Sequence, residues 1–261
     1  MGRAKEIIVK VIPSKIANAF VRKHHYSGKV AATSKLHFGC FFENRLHGVI
    51  SYGSSIDKRK VLPLVENTGW NEYLELNRLA FDDYLPRNSE SRCLSISFNL
   101  IKKNAPHIKW ILSYADGCQC GDGTIYRASG FNLTAIKKNT GMWLLKSGEV
   151  IADIITRQAW CRSSITKRIG FTLGESWKEY SERVGAVKLK GYQLRYIYLI
   201  DKTCKITVPI LPFSKIDEMN AGMYKGKKRL QADAHKRDSG DQLDKGGANP
   251  THPLHLKVSN G

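Results

Sequence analysis

The residues from 110 to 131, WILSYADGCQCGDGTIYRASGF, join a short apolar run to a loop that contains reactive side chains. Trp110, Ile111 and Leu112 predict a buried strand, and glycines at positions 117, 121 and 123 allow sharp turns or the close approach of a ligand. Open sheets bind ligands at the carboxyl ends of their strands, so the polar groups of this loop are candidates for a site. They are two carboxylates and two thiols: Asp116, Asp122, Cys118 and Cys120.

The thiols of this loop do not have the spacing of a structural zinc site. Cys118 and Cys120 are separated by one residue, and no second Cys or His pair with the spacing of a zinc finger follows. We expect all six cysteines to be free thiols, since they are scattered along a chain without a secretory signal. They are Cys40, Cys93, Cys118, Cys120, Cys161 and Cys204.

The elements that position this loop follow from periodicity and from turn residues. The pattern predicts a single α+β (mixed α/β) domain in the order β-α-β-β-β-α-β-α-β. Ser14 and Thr124 are expected to cap the first and third helices, and Gly130 to end the third. The expected strands are 6–12, 35–42, 46–52, 73–81, 110–116 and 132–136, with a late hairpin formed by 193–200 and 205–211; the expected helices are 15–24, 93–103, 125–129 and 175–184.

The chain of 261 residues is long enough for one core with a smaller subdomain. We expect residues 1–224 to form one domain, with a less certain insertion near 138–190. Residues 225–261 are mostly polar with little apolar periodicity, and we expect a disordered basic tail there.

The net charge of the chain is strongly positive. Its 42 Lys and Arg against 23 Asp and Glu give +19, and residues 225–261 account for only +4, which leaves +15 on residues 1–224. A basic folded surface favours a nucleic-acid partner, although a solvated basic face or a membrane-surface patch is an alternative. No apolar h-region and no run of about 18 apolar residues occurs, so we expect a cytoplasmic protein without a membrane partner.

Several short motifs resemble known proteins. The strand, polar turn and helix of 73–103 and the phrase IYRASGF at 125–131 resemble the GCN5-related acyltransferase fold, which implies a central, mostly antiparallel sheet flanked by helices. Over roughly residues 5–225 the chain closely resembles the Mom family of phage DNA-modification proteins. The motifs that carry this resemblance are HHYSGK at 24–29, ELNRLA at 75–80, PRNSESR at 86–92 and GDGTIY at 121–126.

The resemblance implies an enzyme that installs a carbamoylmethyl group on N6 of adenine in double-stranded DNA, so that phage DNA escapes host restriction. The N6 amine is a poor nucleophile and is paired and stacked in a duplex. Such an enzyme must therefore flip the base, hold it and help the amine lose a proton.

These needs match five residues, each of which also has a structural interpretation. Tyr26 can stack on the flipped base, and His25 can act as general base or metal ligand, or can lie at a solvated helix end. Asp116 can accept the N6 proton or cap its loop. Arg78, expected near the middle of a sheet, needs an anion, either substrate or Glu75. Tyr126 can act as general acid or pack with its hydroxyl satisfied.

The donor is the least determined part of the reaction. Arg87, Ser89 and Ser91 precede a helix whose free N–H groups could bind an anion, but Glu90 and Arg92 stand where acyl-CoA-binding relatives carry glycines. Either acyl-CoA or an aminoacyl (glycyl) group carried on tRNA is therefore a candidate donor. An iron held by His25 with Asp116 or another carboxylate is a further hypothesis.

Two other functions remain open from the sequence. One is an acyltransferase of the same fold that modifies a protein or a small amine, with an incidental basic surface. The other is a non-catalytic DNA-binding accessory protein on the same scaffold, which the missing glycines favour slightly.

Overall fold

The computed structural model of the chain describes residues 3–86, 88–153, 164–172, 174–224 and 226–228. These residues divide into two compact units. The first comprises the described residues of 3–138 and 191–228, and the second those of 139–190. The first unit contains all the described candidate site residues.

The first unit is built around a large sheet with helices on both of its faces, so the predicted α+β class and the mostly antiparallel central sheet are confirmed. Short 3-10 turns at Arg3–Glu6 and Leu62–Leu64 complete it. Its strands are β1 (Ile8–Val11), β2 (Ser34–Phe42), β3 (Arg45–Gly53), β4 (Tyr73–Phe81), β5 (Trp110–Asp116), β6 (Asn132–Lys138) and, later in the chain, Tyr192–Leu199; its helices are α1 (Ser14–His24), α2 (Lys58–Val61), α3 (Ser89–Asn104), α4 (Thr124–Ala128) and, near the end, Ser214–Glu218.

The second unit, taken by itself, is a small sheet packed with helices. It contains β7 (Met142–Leu144), β8 (Val150–Ala152), α5 (Ser164–Arg168), α6 (Trp177–Arg183) and β9 (Val187–Lys188), with the strands in the order β8-β7-β9. Its core includes Ile151 and Tyr180, and a capping box of Ser176 with Glu179 starts α6.

The late strand Tyr192–Leu199, now β10, inserts between β5 and β6 and is antiparallel to both. The predicted late hairpin is therefore wrong, because residues 205–211 form only isolated bridges, Val65 with Ile206 and Leu133 with Leu211. The sheet order is β1-β2-β3-β4-β5-β10-β6.

The parallel pair β4 and β5 separates partway along its length. The two strands are paired from Tyr73 with Trp110 to Leu76 with Ser113, and no ladder pair between them follows. At the same level, the register of β4 against β3 shifts between Ser51 and Tyr52 of β3. Beyond this level β4 pairs only with β3 and β5 only with β10, so a gap opens in the sheet where β5 ends.

Helices cover the two faces of this sheet. On one face α3 and α4 bury Leu94, Ile101 and Tyr126 against Ile111 and their neighbours in the main core. On the other face α1 buries Ala17 and Val21, and the α2 region forms a smaller cluster around Trp110.

Four predicted helix starts differ from the structure. The helix expected from residue 175 is α6, which begins at Trp177. Ser14 and Thr124 are the first residues of α1 and α4, whose N-caps are Pro13 and Gly123, and neither N-cap makes a side-chain capping bond. The helix predicted to follow the turn at 85–92 is α3, and it begins at Ser89, inside that turn.

The final elements of the first unit are short. Ser214–Glu218 is α7, and Met223–Tyr224 (β11) pairs with Lys227–Lys228 (β12). Residues 226–228, which the sequence placed in the tail, belong to the described part, and residue 225 and residues 229–261 of the predicted tail lie outside it. None of the described helices is long and apolar enough to cross a membrane.

Candidate active site

Four of the five candidate catalytic residues meet at the gap between β4 and β5. Tyr26 comes from the segment after α1, Arg78 from β4 beyond its last pair with β5, Asp116 from the end of β5 and Tyr126 from α4. They are close enough that Tyr26 and Tyr126 both act on the pKa of Arg78, and Asp116 acts on that of Tyr26. His25 lies beside them, with its ring tilted by 33° against that of Tyr26 and the ring centroids 4.3 Å apart.

Local hydrogen bonds fix the His25 ring. Its Nδ1 accepts from the Ser27 backbone N–H at 3.2 Å and lies 2.8 Å from Ser27 Oγ, which in turn accepts from the Lys29 N–H. Because the backbone N–H is an obligatory donor, Nδ1 is the acceptor and we assign the proton of the neutral ring to Nε2. Burial, followed by the charge of Arg78, lowers the pKa of His25 to about 4. At neutral pH the ring is therefore uncharged and presents an N–H donor.

Tyr26 combines a half-exposed ring with a directed hydroxyl. The residue is 50% exposed, and its hydroxyl donates to Oδ2 of Asp116 over 3.4 Å. Burial of the hydroxyl end and then the Asp116 charge raise the pKa of Tyr26, so it stays protonated. An exposed aromatic face beside a fixed hydroxyl is suited to stacking on a nucleobase.

Arg78 is held by carbonyl groups rather than by a carboxylate. Its Nε donates to the Lys29 carbonyl at 2.7 Å and its Nη1 to the Asn77 carbonyl at 2.6 Å. Within the described part of the chain it forms no ion pair, so the expected partner Glu75 is not an ion-pair partner. Burial lowers the pKa of Arg78, while Tyr26 and Glu75 oppose this shift. A guanidinium anchored in this way keeps its charge available for a substrate anion.

The Asp116 carboxylate organises the loop that follows β5 and also faces the site. Oδ1 accepts from the Cys118 backbone N–H at 2.9 Å and from Gln193 Nε2 at 2.8 Å. Oδ2 accepts from Gln119 Nε2 at 2.6 Å and from Tyr26. The carboxylate therefore caps its loop, as one of the two interpretations expected, and its acceptance of the N6 proton stays a prediction.

Tyr126 is almost fully buried and lies behind the gap. Its ring packs 5.3 Å from both Phe131 and Tyr196, and Ser113 on β5 interacts with its hydroxyl. Burial raises the pKa of Tyr126 to about 12, with Ser113 acting in the opposite direction. The hydroxyl is therefore protonated at neutral pH and can donate.

The second carboxylate of the loop, Asp122, is structural. It is fully buried, and its Oδ1 accepts from Arg127 at 3.0 Å and from the Thr124 hydroxyl at 3.2 Å. Its Oδ2 accepts from the Met223 backbone N–H at 3.1 Å. These bonds satisfy a buried charge and connect the start of α4 to the end of the first unit.

The two loop thiols differ in their surroundings. Cys118 lies 3.7 Å from Gln193 Nε2, and burial raises its pKa to about 12. Cys120 lies near the tyrosines of the site, and burial and Asp116 raise its pKa. Both are protonated at neutral pH and are poor nucleophiles. All five described cysteines are free, as expected, and Cys161 lies outside the described residues.

The candidate donor-binding serines lie in the first turn of α3, not before it. The Ser89 hydroxyl donates to the Pro86 carbonyl and the Ser91 hydroxyl to the Asn88 carbonyl. Their side chains therefore serve the turn, in which Asn88 adopts a left-handed φ of 67°. Glu90 places a carboxylate in the same first turn, where it competes with any anionic ligand.

A groove of about 520 Å³ runs between α3 and α4, next to this turn. Its size is within the range of small-molecule sites. Arg87, the remaining candidate for donor binding, lies outside the described residues. The groove is lined by Ala4, Asn88, Ser91, Arg92, Ser95, Ile96, Asn99, Ala128 and Ser129.

The described residues do not fit the hypothesis of an iron site. Among them, no group of three or more His, Cys, Asp or Glu side chains could hold a metal ion. Nδ1 of His25 accepts from the Ser27 N–H, so only Nε2 of that ring could face a metal, and the oxygens of Asp116 already accept from four donors.

Three residues that support the site did not follow from the sequence. Gln119 and Gln193 hold Asp116, and Ser27 sets the tautomer of His25. A serine two residues after a histidine is a local pattern that could have indicated the last of these. Gln193 lies 77 residues from Asp116, and no local signal connects the two.

Comparisons with known proteins agree on one family. The model of the Mom protein family matches residues 6–215. The protein named methylcarbamoylase mom, from Escherichia phage Mu, is 34% identical over 208 residues, which cover 77% of this chain and 79% of that protein.

Two acetyltransferases are among the similar solved structures. The IAA acetyltransferase from Bacillus cereus ATCC 14579 is 10% identical, with a TM-score of 0.40 over 74% of this chain and 99% of that one. The ribosomal-protein-S18-alanine N-acetyltransferase from Escherichia coli is also 10% identical, with a TM-score of 0.40 over 75% and 94%. At these TM-scores the likeness carries no argument about activity.

Proposed function

Because the chain belongs to the Mom protein family, we propose that it is a transferase that modifies phage DNA by installing a carbamoylmethyl group on N6 of adenine. The modified DNA would then resist host restriction. The observation that carries the proposal is the contact between the Tyr26 hydroxyl and the Asp116 carboxylate, beside Arg78, at the gap between β4 and β5. The basic surface supports DNA as the substrate.

The target adenine must leave the duplex before its amine can react. In our proposal the flipped base stacks on the half-exposed Tyr26 ring, which the His25 ring supports from behind. The Nε2–H of His25 donates to an acceptor on the base or on the donor. His25 is thus a hydrogen-bond donor here, not the general base.

Asp116 takes the proton in this proposal. Its Oδ2 already faces the Tyr26 hydroxyl, so a base stacked on that ring brings N6 next to a carboxylate oxygen. As N6 bonds to carbon it loses one proton, which Asp116 accepts. Gln119 and Gln193 keep the carboxylate oriented.

Arg78 and Tyr126 act on the donor. Arg78 has no ion pair within the described residues and stabilises negative charge that develops on the donor oxygen. Tyr126 is protonated at neutral pH and supplies a proton to the leaving group. One proton leaves N6 and one joins the leaving group, so the exchange is balanced.

For the donor we propose a glycyl group carried on tRNA, in preference to acyl-CoA. Simple acyl transfer would leave an amide at N6, whereas the proposed product is joined through a methylene. Transfer forms the bond from N6 to the glycyl carbonyl carbon and breaks the ester bond from that carbon to tRNA, whose oxygen takes the proton from Tyr126. A glycyl group and a carbamoylmethyl group contain the same atoms, so the later isomerisation, in which N6 and the glycyl amino nitrogen exchange carbons, needs neither oxidant nor reductant. The Glu90 carboxylate in the first turn of α3 also disfavours a pyrophosphate there.

The proposal is tested by expressing the chain in bacteria, digesting plasmid DNA to nucleosides and analysing them by mass spectrometry. We expect a deoxyadenosine that is heavier by one carbamoylmethyl group. The signal should be lost with Asp116→Asn and Tyr126→Phe and retained with Asp57→Asn, which changes an exposed carboxylate. Unmodified DNA despite good expression would favour the accessory-protein or amine-acyltransferase alternatives.

The donor is tested separately with purified protein. We expect modification of DNA only when glycyl-tRNA is supplied. Full modification with acetyl-CoA and no RNA would rule out this donor but leave the DNA substrate intact.

A further inference from the structure

Tyr114 is an exposed aromatic residue on a central strand. It lies on β5 one residue beyond the last pair with β4, where β5 is paired only with β10, and the residue is 45% exposed. Its neighbours on the same strand, Ser113 and Ala115, are buried in the core on the opposite face. An aromatic side chain at the centre of a sheet is usually covered, so this one has surface available for a ligand.

Arg195 lies directly beside Tyr114 on β10, its register partner. Its Nε donates to the Thr134 hydroxyl at 2.9 Å and its Nη2 to the Thr134 carbonyl at 3.2 Å. Nη1 makes no hydrogen bond to the described part of the chain, and no described carboxylate pairs with this guanidinium. A guanidinium fixed on one edge and open on the other is suited to binding a phosphate.

The distance from Asp116 decides what these residues can bind. Tyr114 and Asp116 are two positions apart on one strand, so they point to the same face with a separation of roughly 7 Å. That is roughly twice the 3.4 Å spacing of stacked nucleotides in one strand of DNA. Two neighbouring nucleotides that are unstacked therefore span the interval from Asp116 to Tyr114.

We propose that Tyr114 and Arg195 form a subsite for the nucleotide next to the target adenine. The neighbouring base stacks on the Tyr114 ring, and Arg195 binds the phosphate of that nucleotide. This inference rests on the proposed function and adds to it a second base that the protein contacts. Because stacking accepts any base and a phosphate contact carries no sequence information, the subsite adds affinity and fixes the position of the strand.

The test removes one side chain and one DNA base, separately and together, as in a double-mutant cycle. Fluorescence anisotropy measures the binding of DNA duplexes that contain one unpaired adenine. In one duplex the nucleotide on the 5′ side of this adenine is replaced by an abasic residue, and in a second duplex the nucleotide on the 3′ side is replaced. For the wild type, removal of one neighbouring base should weaken binding by about tenfold, the effect of losing one base–aromatic stack. In Tyr114→Ala the same removal should have little further effect, whereas Tyr114→Phe should retain the wild-type loss.

The matched control is Tyr84→Ala, since Tyr84 is 58% exposed and lies in the turn after β4. This variant should behave as the wild type. The slope of the logarithm of the binding constant against the logarithm of the salt concentration counts phosphate contacts. Arg195→Gln should reduce this slope by the equivalent of about one phosphate contact more than Arg45→Gln does. Equal losses on base removal in the wild type and in Tyr114→Ala, or none in the wild type, would overturn the subsite. In either case the mass-spectrometric assay would still detect modified DNA, whereas failure of the proposed function abolishes that signal.

Discussion

The hydroxyl of Tyr26 donates to Oδ2 of Asp116 over 3.4 Å and so connects the segment after α1 with the end of β5. The same carboxylate accepts hydrogen bonds from the loop and from β10, and Oδ2, the oxygen that meets Tyr26 at the gap, is also held by Gln119. The carboxylate is thereby oriented before any substrate arrives.

Replacement of Tyr26 by Phe should lower DNA modification while leaving the fold intact. The ring that stacks on the base is kept, but the hydroxyl that meets Asp116 is lost. We expect about a tenfold slower reaction, near-normal DNA binding and a stability change within about 0.5 kcal/mol. Time courses of modified deoxyadenosine measure the rate, fluorescence anisotropy measures DNA binding, and urea unfolding measures the stability. Tyr84→Phe is the control. An unchanged rate would show that the Tyr26 hydroxyl has no part in the reaction.

Asp116→Asn should affect both activity and stability. Either orientation of the new amide places its NH₂ against existing donors, at Cys118 and Gln193 or at Gln119 and Tyr26. We expect a loss of about 1–3 kcal/mol in unfolding free energy from this mismatch and at least about a hundredfold loss in rate from the missing base. Substantial activity in the folded variant would mean that Asp116 only organises its loop.

Arg78→Lys should be a severe substitution despite the retained charge. An ammonium cannot donate to the carbonyls of Lys29 and Asn77 and also face the substrate with a rigid edge. We expect a rate loss of about tenfold or more. The control is Arg45→Lys at the exposed start of β3, and equal rates for the two variants would contradict the assigned role.

His25 should make the protein less stable as the solution becomes acidic. Its pKa falls from an ordinary 6.5 to about 4 in the folded protein, so between these values the unfolded chain binds more protons. Stability therefore decreases as the pH falls from about 7 towards 4. Urea unfolding at several pH values should show a weaker pH dependence for His25→Gln than for the wild type. Identical slopes would show that the ring is not held neutral by the fold.

Gly123→Ala should destabilise the support beneath Tyr126. Gly123 has a φ of 87°, and an added Cβ would lie 2.5 Å from the Tyr196 ring. Gly148 has a φ of 82° with no neighbouring atom within 4 Å, so Gly148→Ala reports the backbone strain alone. We expect Gly123→Ala to cost about 1–3 kcal/mol more than Gly148→Ala in unfolding free energy. A smaller difference would indicate that the tyrosine moves aside readily.

Local patterns in the sequence were sufficient for most of the elements and for the family. Alternation and turn residues predicted the β2–β3 hairpin, and apolar runs predicted β4 and β5. The motifs around His25, Arg78 and Tyr126 indicated the Mom family, and the family match confirms it. Helix starts were less certain, because the N-caps of α1 and α4 make no side-chain capping bond that a pattern could reveal.

Only the tertiary structure decided where distant residues meet. The insertion of β10 between β5 and β6 brings Gln193 to Asp116 and Arg195 to Tyr114, although strand pairing over such separations leaves no local signal. The partners of Arg78 are backbone carbonyls, which every residue carries, so no sequence pattern marks them. The sequence by itself thus determined which reactive groups are present, and the separation of β4 from β5 decided that they face one another.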